Sequence, residues 1–125
     1  MTAHPRVLVV DDHPINRRLP ARLVRAHGWE CDEAENGAEA LAKLMASRFD
    51  AVLLDIGLPD ISGYDVCKQI RANATLAYLW VVAYTALASS EVDPIASGFN
   101  GLLIKPITSD QLFDALKGAV LRKSP

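Results

Sequence analysis

The sequence predicts an α/β domain, a doubly wound five-stranded parallel sheet of strand order 2-1-3-4-5 with helices on both faces. Three observations predict it. Short, almost wholly apolar runs recur at Arg6-Val-Leu-Val-Val10, Ala51-Val-Leu-Leu54, Val81-Val-Ala-Tyr84 and Leu102-Leu-Ile104. Runs of that length without polar alternation read as parallel strands buried on both faces. Stretches of helical periodicity separate them, which gives right-handed crossovers and a (βα)5 chain without repeats, linkers or low-complexity tracts. Finally, a polar residue stands at or beside the C-terminal end of each run: Asp11 and Asp12, Asp55, Thr85, and Lys105. In an open parallel sheet those ends all face one crevice.

The elements follow in order. After the first strand, Pro14 suits the first turn of a helix in which Ile15, Leu19 and Leu23 recur at four-residue spacing as the apolar stripe. Pro20 falls inside that helix, where a proline removes a hydrogen bond and costs about 3 kcal/mol unless the helix bends. Gly28 is a plausible closing residue just past its end. Trp29 to Ala34 alternates loosely and reads as a second strand, at an edge of the sheet. Asn36-Gly37 starts an Ala-, Leu- and Lys-rich helix running to about Ser47. The third strand ends at Asp55, and Gly57-Leu-Pro-Asp-Ile-Ser-Gly63 is a loop of turn formers. Ser62 or Gly63 then opens a helix carrying Val66, Cys67 and Ile70 inward. The fourth strand ends at Thr85. Pro94, ahead of Gly98, falls in the segment expected to form the fourth helix and predicts a short or irregular one. The fifth strand ends at Lys105-Pro106. Thr108 or Ser109 caps a last helix with Leu112, Leu116 and Val120 on one face.

A chain of 125 residues suffices for one core, so a single domain over 1–125 is expected, with its core about 6–121. Thirteen basic against fifteen acidic residues leave a net charge of −2, which offers no basic field for nucleic acid. The apolar runs are too short to span a bilayer, and Met1-Thr-Ala-His-Pro5 lacks the apolar core of a secretory leader, so a soluble cytoplasmic protein without a membrane partner is expected. Cys31 and Cys67 lack metal or redox spacing and read as reduced packing residues. His4, His13 and His27 share no metal-ligand spacing either, although His13 lies beside the acid pair.

The crevice residues suggest a chemistry. Three carboxylates, a hydroxyl and an ammonium gathered at one sheet edge suit a divalent cation and a phosphoryl group. The carboxylates repel one another, so at least one is expected to hold its proton above the ordinary range when no cation is bound. Asp55 is the expected nucleophile, because it ends the central strand and the long turn-rich loop lies behind it.

In order, Asp11-Asp12, Asp55 followed by Leu58-Pro59 and Gly63, Thr85-Ala86, and Lys105-Pro106 make the chain resemble a response-regulator receiver domain. The likeness covers about 115 residues and implies a flavodoxin-like fold. It implies that Asp12 and Asp55 ligate Mg²⁺ (or Mn²⁺) directly, that Asp11 acts mostly through water, and that the Gly57 carbonyl adds one ligand. It also implies phosphorylation of Asp55, a phosphoryl-binding and switching role for Thr85, Ala86 and Lys105, and a cis bond before Pro106. The implied partners are a histidine kinase or histidine phosphotransfer protein, with a weak homodimer as a further association. Asp12-His-Pro-Ile-Asn-Arg17 and Leu-Ile-Lys-Pro-Ile107 are similar to receivers attached to hybrid sensor kinases. With no effector domain before Pro125, the chain is expected to be a stand-alone regulator or a piece of a longer protein. One departure stands out. Many receivers carry Tyr or Phe three residues before the lysine, whereas this chain has Leu102. Two other classes compete. A pseudo-receiver that docks without being phosphorylated is opposed by the intact acid set. A haloacid-dehalogenase-like phosphohydrolase would need a second aspartate at position 57, which is Gly57.

Overall fold

The computed structural model describes residues 5–86 and 98–123. Its strands are β1 (Arg6–Val10), β2 (Glu30–Ala34), β3 (Ala51–Asp55), β4 (Trp80–Thr85) and β5 (Gly101–Ile104). They form one sheet of order β2-β1-β3-β4-β5, as the sequence predicts, and each neighbouring pair is parallel. Four helices are described: α1 (Pro14–Ala26), α2 (Gly37–Ala46), α3 (Gly63–Ala72) and α4 (Ser109–Lys123). The irregular helix expected around Pro94 lies outside the described residues.

Successive strand side chains point to opposite faces, so the core divides into two layers. Leu8, Val10, Val52, Leu54 and Val81 pack with Ala40, Leu44, Val66, Cys67 and Ile70 of α2 and α3. Val7, Val9, Leu53, Val82 and Tyr84 pack with Val24 of α1 and with Leu112 and Leu116 of α4. This two-sided burial explains why β1, β3 and β4 read as unbroken apolar runs. β5 departs from that expectation. Leu102 and Ile104 are 44% and 38% exposed while Leu103 between them is buried, because β5 is an edge strand with α4 packed on Leu103's side.

α1 begins with Pro14 in its first turn, as expected, but its buried face is Pro20, Ala21 and Val24. Ile15 and Leu19, taken from the sequence as the apolar stripe, are exposed, and Leu23 is half-buried. The reason is helical phase. Ile15 and Val24 lie nine positions apart, roughly half a revolution at about 3.6 residues per turn, so one of them must face solvent. Pro20 sits on the inward face, and the helix runs on through it to Ala26. The end of α1 is a paired-bond C-cap. Gly28 has φ +90°, its N–H donates to the Arg25 carbonyl at 3.0 Å, and the Trp29 N–H donates to the Val24 carbonyl at 3.2 Å.

The remaining caps follow the sequence. Asn36 accepts from the Glu39 N–H at the start of α2, and Ser62 accepts from the Asp65 N–H at the start of α3. Thr108 and Gln111 bond reciprocally, side chain to backbone, at 3.2 and 3.0 Å to open α4. Leu112 and Leu116 are buried with Ala119; the side chain of Val120 lies outside those described. Burial pushes the Cys31 thiol up to about 11 and also raises that of Cys67, so neither free cysteine is a ready nucleophile. Among the described residues no helix is long and apolar enough to cross a membrane.

Asp60 adds a cap that sequence reading did not assign. Its carboxylate accepts from the Gly37 and Ala38 N–H groups, both at 2.9 Å, tying the loop after β3 to the start of α2. Those two bonds hold the Asp60 carboxyl below the ordinary 3.8. A depressed folded-state value means the contribution is full above the unfolded pKa and is lost as pH falls through the folded one. The melting temperature of Asp60→Ala should therefore fall below that of the parent at neutral pH, with the gap closing below about pH 4. A gap that stays constant down to pH 2 would contradict the assignment.

Candidate functional site

Parallel pairing brings the C-terminal ends of four strands to one edge, and the residues singled out from the sequence meet there. Asp11 and Asp12 follow β1, Asp55 and Thr85 end β3 and β4, and Lys105 follows β5. A cleft of about 520 Å³ opens over them, lined by Asp12, Asp55, Gly57, Thr85, Ala86 and Lys105, with His13 and Asn16 at its side. Asp11 is fully buried and is held through Lys105 and the loop after β1. Leu102 pairs with Ala83 in the β4–β5 register and is not among the cleft-lining residues.

Lys105 links the acids. Its Nζ donates to Asp11 Oδ2 at 2.7 Å and to Asp55 Oδ2 at 3.3 Å. The ammonium also stands 4.6 Å from the centroid of the Tyr84 ring, which is buried in the α1–α4 layer. Burial works to lower the lysine's pKa, but the hydrogen bond to Asp11 and the charges of Asp55 and Asp11 outweigh it and raise the value. The Lys105–Pro106 peptide is cis.

Asp55 has its second oxygen on the loop, where Oδ1 accepts the Gly57 N–H at 3.1 Å. Burial pushes this carboxyl above the ordinary aspartate range. The Gly57 bond and the Lys105 charge pull it back, and the Asp11 charge adds to the rise. α3 buttresses the same strand end. The Gly63 N–H donates to the Ile56 carbonyl at 2.8 Å, and a Cβ at Gly63 would stand 2.5 Å from the Asp55 carbonyl oxygen and 2.7 Å from Ile56 Cα. Only glycine permits that approach.

The loop after β1 is held from two sides. Asp11 Oδ1 accepts the His13 N–H at 3.0 Å, and the Arg17 guanidinium donates to the Asp11 carbonyl at 2.9 Å and to Glu33 of β2 at 3.1 Å. Asp12, partly exposed, is 3.0 Å from His13 Nδ1 through its Oδ1. The carboxylates facing the cleft fit a hard divalent cation: Asp12 and Asp55 supply oxygen, the ligand type of Mg²⁺ and Mn²⁺. Asp11, Asp12 and His13 each offer a ligand atom within 4.8 Å of the others.

Sequence reading found the residues at the strand ends and passed over those that brace them. Arg17 entered only as the end of the Asp12-His-Pro-Ile-Asn-Arg17 string and Tyr84 only as the end of an apolar run, neither with a bracing role. The contact of His13 with Asp12 was visible only as adjacency in the chain.

Comparison with known proteins gives consistent findings. Residues 7–117 match the family model for the response regulator receiver domain. The chain is 40% identical over 111 residues to the sensor histidine kinase RcsC of Salmonella typhi, covering 88% of this chain but only 12% of that protein. It is 36% identical over 114 residues to chemotaxis protein CheY-3 of Vibrio cholerae, covering 89% of this chain and 88% of that one. Among solved structures it is similar to response regulator protein TrrA of Thermotoga maritima, determined in complex with Mg(2+)-BeF. The TM-score is 0.83 at 34% identity, covering 92% of this chain and 98% of that one.

Proposed function

Because the chain belongs to the response regulator receiver domain family of two-component signalling, we propose that it accepts a phosphoryl group from a phosphohistidine donor onto Asp55, in a reaction dependent on Mg²⁺ or Mn²⁺. The observation that carries this reading is the pairing of a buried, lysine-linked Asp55 with Asp12 on the wall of a single cleft. In the step, a carboxylate oxygen of Asp55 attacks phosphorus, the P–N bond breaks, and the donor imidazole leaves with the electron pair. An acyl phosphate remains on Asp55. Asp12, Asp55 and the Gly57 carbonyl would hold the cation, with Asp11 behind them, and it would offset the phosphoryl charge. Lys105 supplies a positive charge to a phosphoryl oxygen, and Ala86 leaves room for it. The Thr85 hydroxyl and the Ala86 N–H donate to the remaining oxygens.

The partner is a histidine kinase or histidine phosphotransfer protein, and the cytoplasm is the compartment where such donors would meet it. We read residues 1–125 as one receiver domain that acts as an acceptor rather than as an enzyme on a separate substrate. The reading is tested with acetyl phosphate: one phosphoryl group should add by intact mass with Mg²⁺ present. Uptake at an unchanged rate in excess EDTA would contradict it.

Lys105→Ala bears on both folding and chemistry. It leaves Asp11 buried without its ammonium partner, so stability should fall, by about 3 kcal/mol if the vacated space stays dry. Added Mg²⁺ should recover more stability in the variant than in the parent, because the cation offsets the same charge. A variant that melts like the parent without Mg²⁺ would show the ion pair to be unimportant.

A further inference from the structure

His13 is the one imidazole that reaches the acidic cleft among the described residues. It occupies the N-cap position of α1, yet its side chain makes no capping bond to the helix. The ring turns to the carboxylates instead. Nδ1 lies 3.0 Å from Asp12 Oδ1 and 3.8 Å from Asp11 Oδ1. Two donors bound to one cation at about 2.1 Å stand roughly 3 Å apart when adjacent and roughly 4 Å when opposite. The shorter distance matches adjacent donors, and Asp11, Asp12 and His13 each offer a ligand atom within 4.8 Å of the others, so a small side-chain adjustment would let the imidazole join a cation held by Asp12.

We propose that His13 donates a nitrogen ligand to the divalent-cation site and biases it toward metals that accept imidazole. The inference rests on the cation site proposed above and deepens it. Mg²⁺ takes oxygen donors and keeps its waters, so it gains little from the ring. Co²⁺ and Zn²⁺ bind imidazole readily, and their affinity should depend on it. A receiver with such a ligand would load differently as the supply of these metals changes.

The test titrates the untagged protein calorimetrically with Mg²⁺ and with Co²⁺, in the parent, His13→Asn and His13→Gln. Both substitutions should weaken Co²⁺ binding by about tenfold or more and leave Mg²⁺ within about threefold. Pulsed electron paramagnetic resonance of the Co²⁺-loaded parent should show a directly bonded ¹⁴N that disappears in His13→Asn. Equal Co²⁺ affinities, or a ¹⁴N signal that survives His13→Asn, would overturn the proposal. Asp12→Asn separates this from the underlying reading. If Mg²⁺ binding needs Asp12 while Co²⁺ ignores His13, the cation site stands and the His13 role falls. If Mg²⁺ ignores Asp12, both fall.

Discussion

Asp55→Asn is expected to abolish phosphoryl uptake from acetyl phosphate in Mg²⁺, while Asp60→Asn and Asp65→Asn take up one group as the parent does. The three aspartates lie within one stretch of chain, so composition cannot separate them; their surroundings do. Asp55 ends a fully buried strand with its oxygens fixed by Gly57 and Lys105. Asp60 is exposed and engaged with the start of α2, and Asp65 is exposed in the first turn of α3. The amide removes the negative oxygen that attacks phosphorus and keeps the shape, so the effect is on chemistry rather than fold. Full uptake by Asp55→Asn, measured by intact mass, would contradict the assignment.

Gly63→Ala is expected to cost about 2–3 kcal/mol in denaturant unfolding, the upper range for overpacking, because the new methyl meets backbone that cannot rotate away. The atoms it would strike belong to Asp55 and Ile56. The displaced strand end should also slow phosphorylation in whatever fraction stays folded. Gly57→Ala is the matched control, since a Cβ there has nothing within 4 Å. If Gly63→Ala unfolds at the parent's denaturant concentration, α3 is not packed against the strand end as described.

Most of the fold was legible because it is written in two local signals. Uninterrupted apolar runs marked β1, β3 and β4, which are covered on both faces, and the caps at Asn36, Ser62 and Thr108 marked helix starts. The signals weakened where burial is one-sided. Leu102 and Ile104 in β5 are as apolar as the inner strands yet exposed, since an edge position changes no residue type. In α1 the same ambiguity misled, because Ile15 and Leu19 recur with helical spacing on the face turned to solvent. The site residues at strand ends were readable for the same reason as the strands. Arg17, Tyr84 and Asp60 were not, because each makes its contact with another element, and nothing in the neighbouring sequence signals that contact. Nothing local marks a tyrosine as the surface beneath an ammonium.

The central claim is tested most directly by locating the modification on the unaltered protein. After reaction with acetyl phosphate and Mg²⁺, borohydride reduction of the acyl phosphate followed by peptide mass spectrometry should find the reduced residue at Asp55 and nowhere else. Reduction at Asp11, Asp12 or Asp60, or a phosphoryl group that resists borohydride and maps to a histidine or serine, would contradict the account.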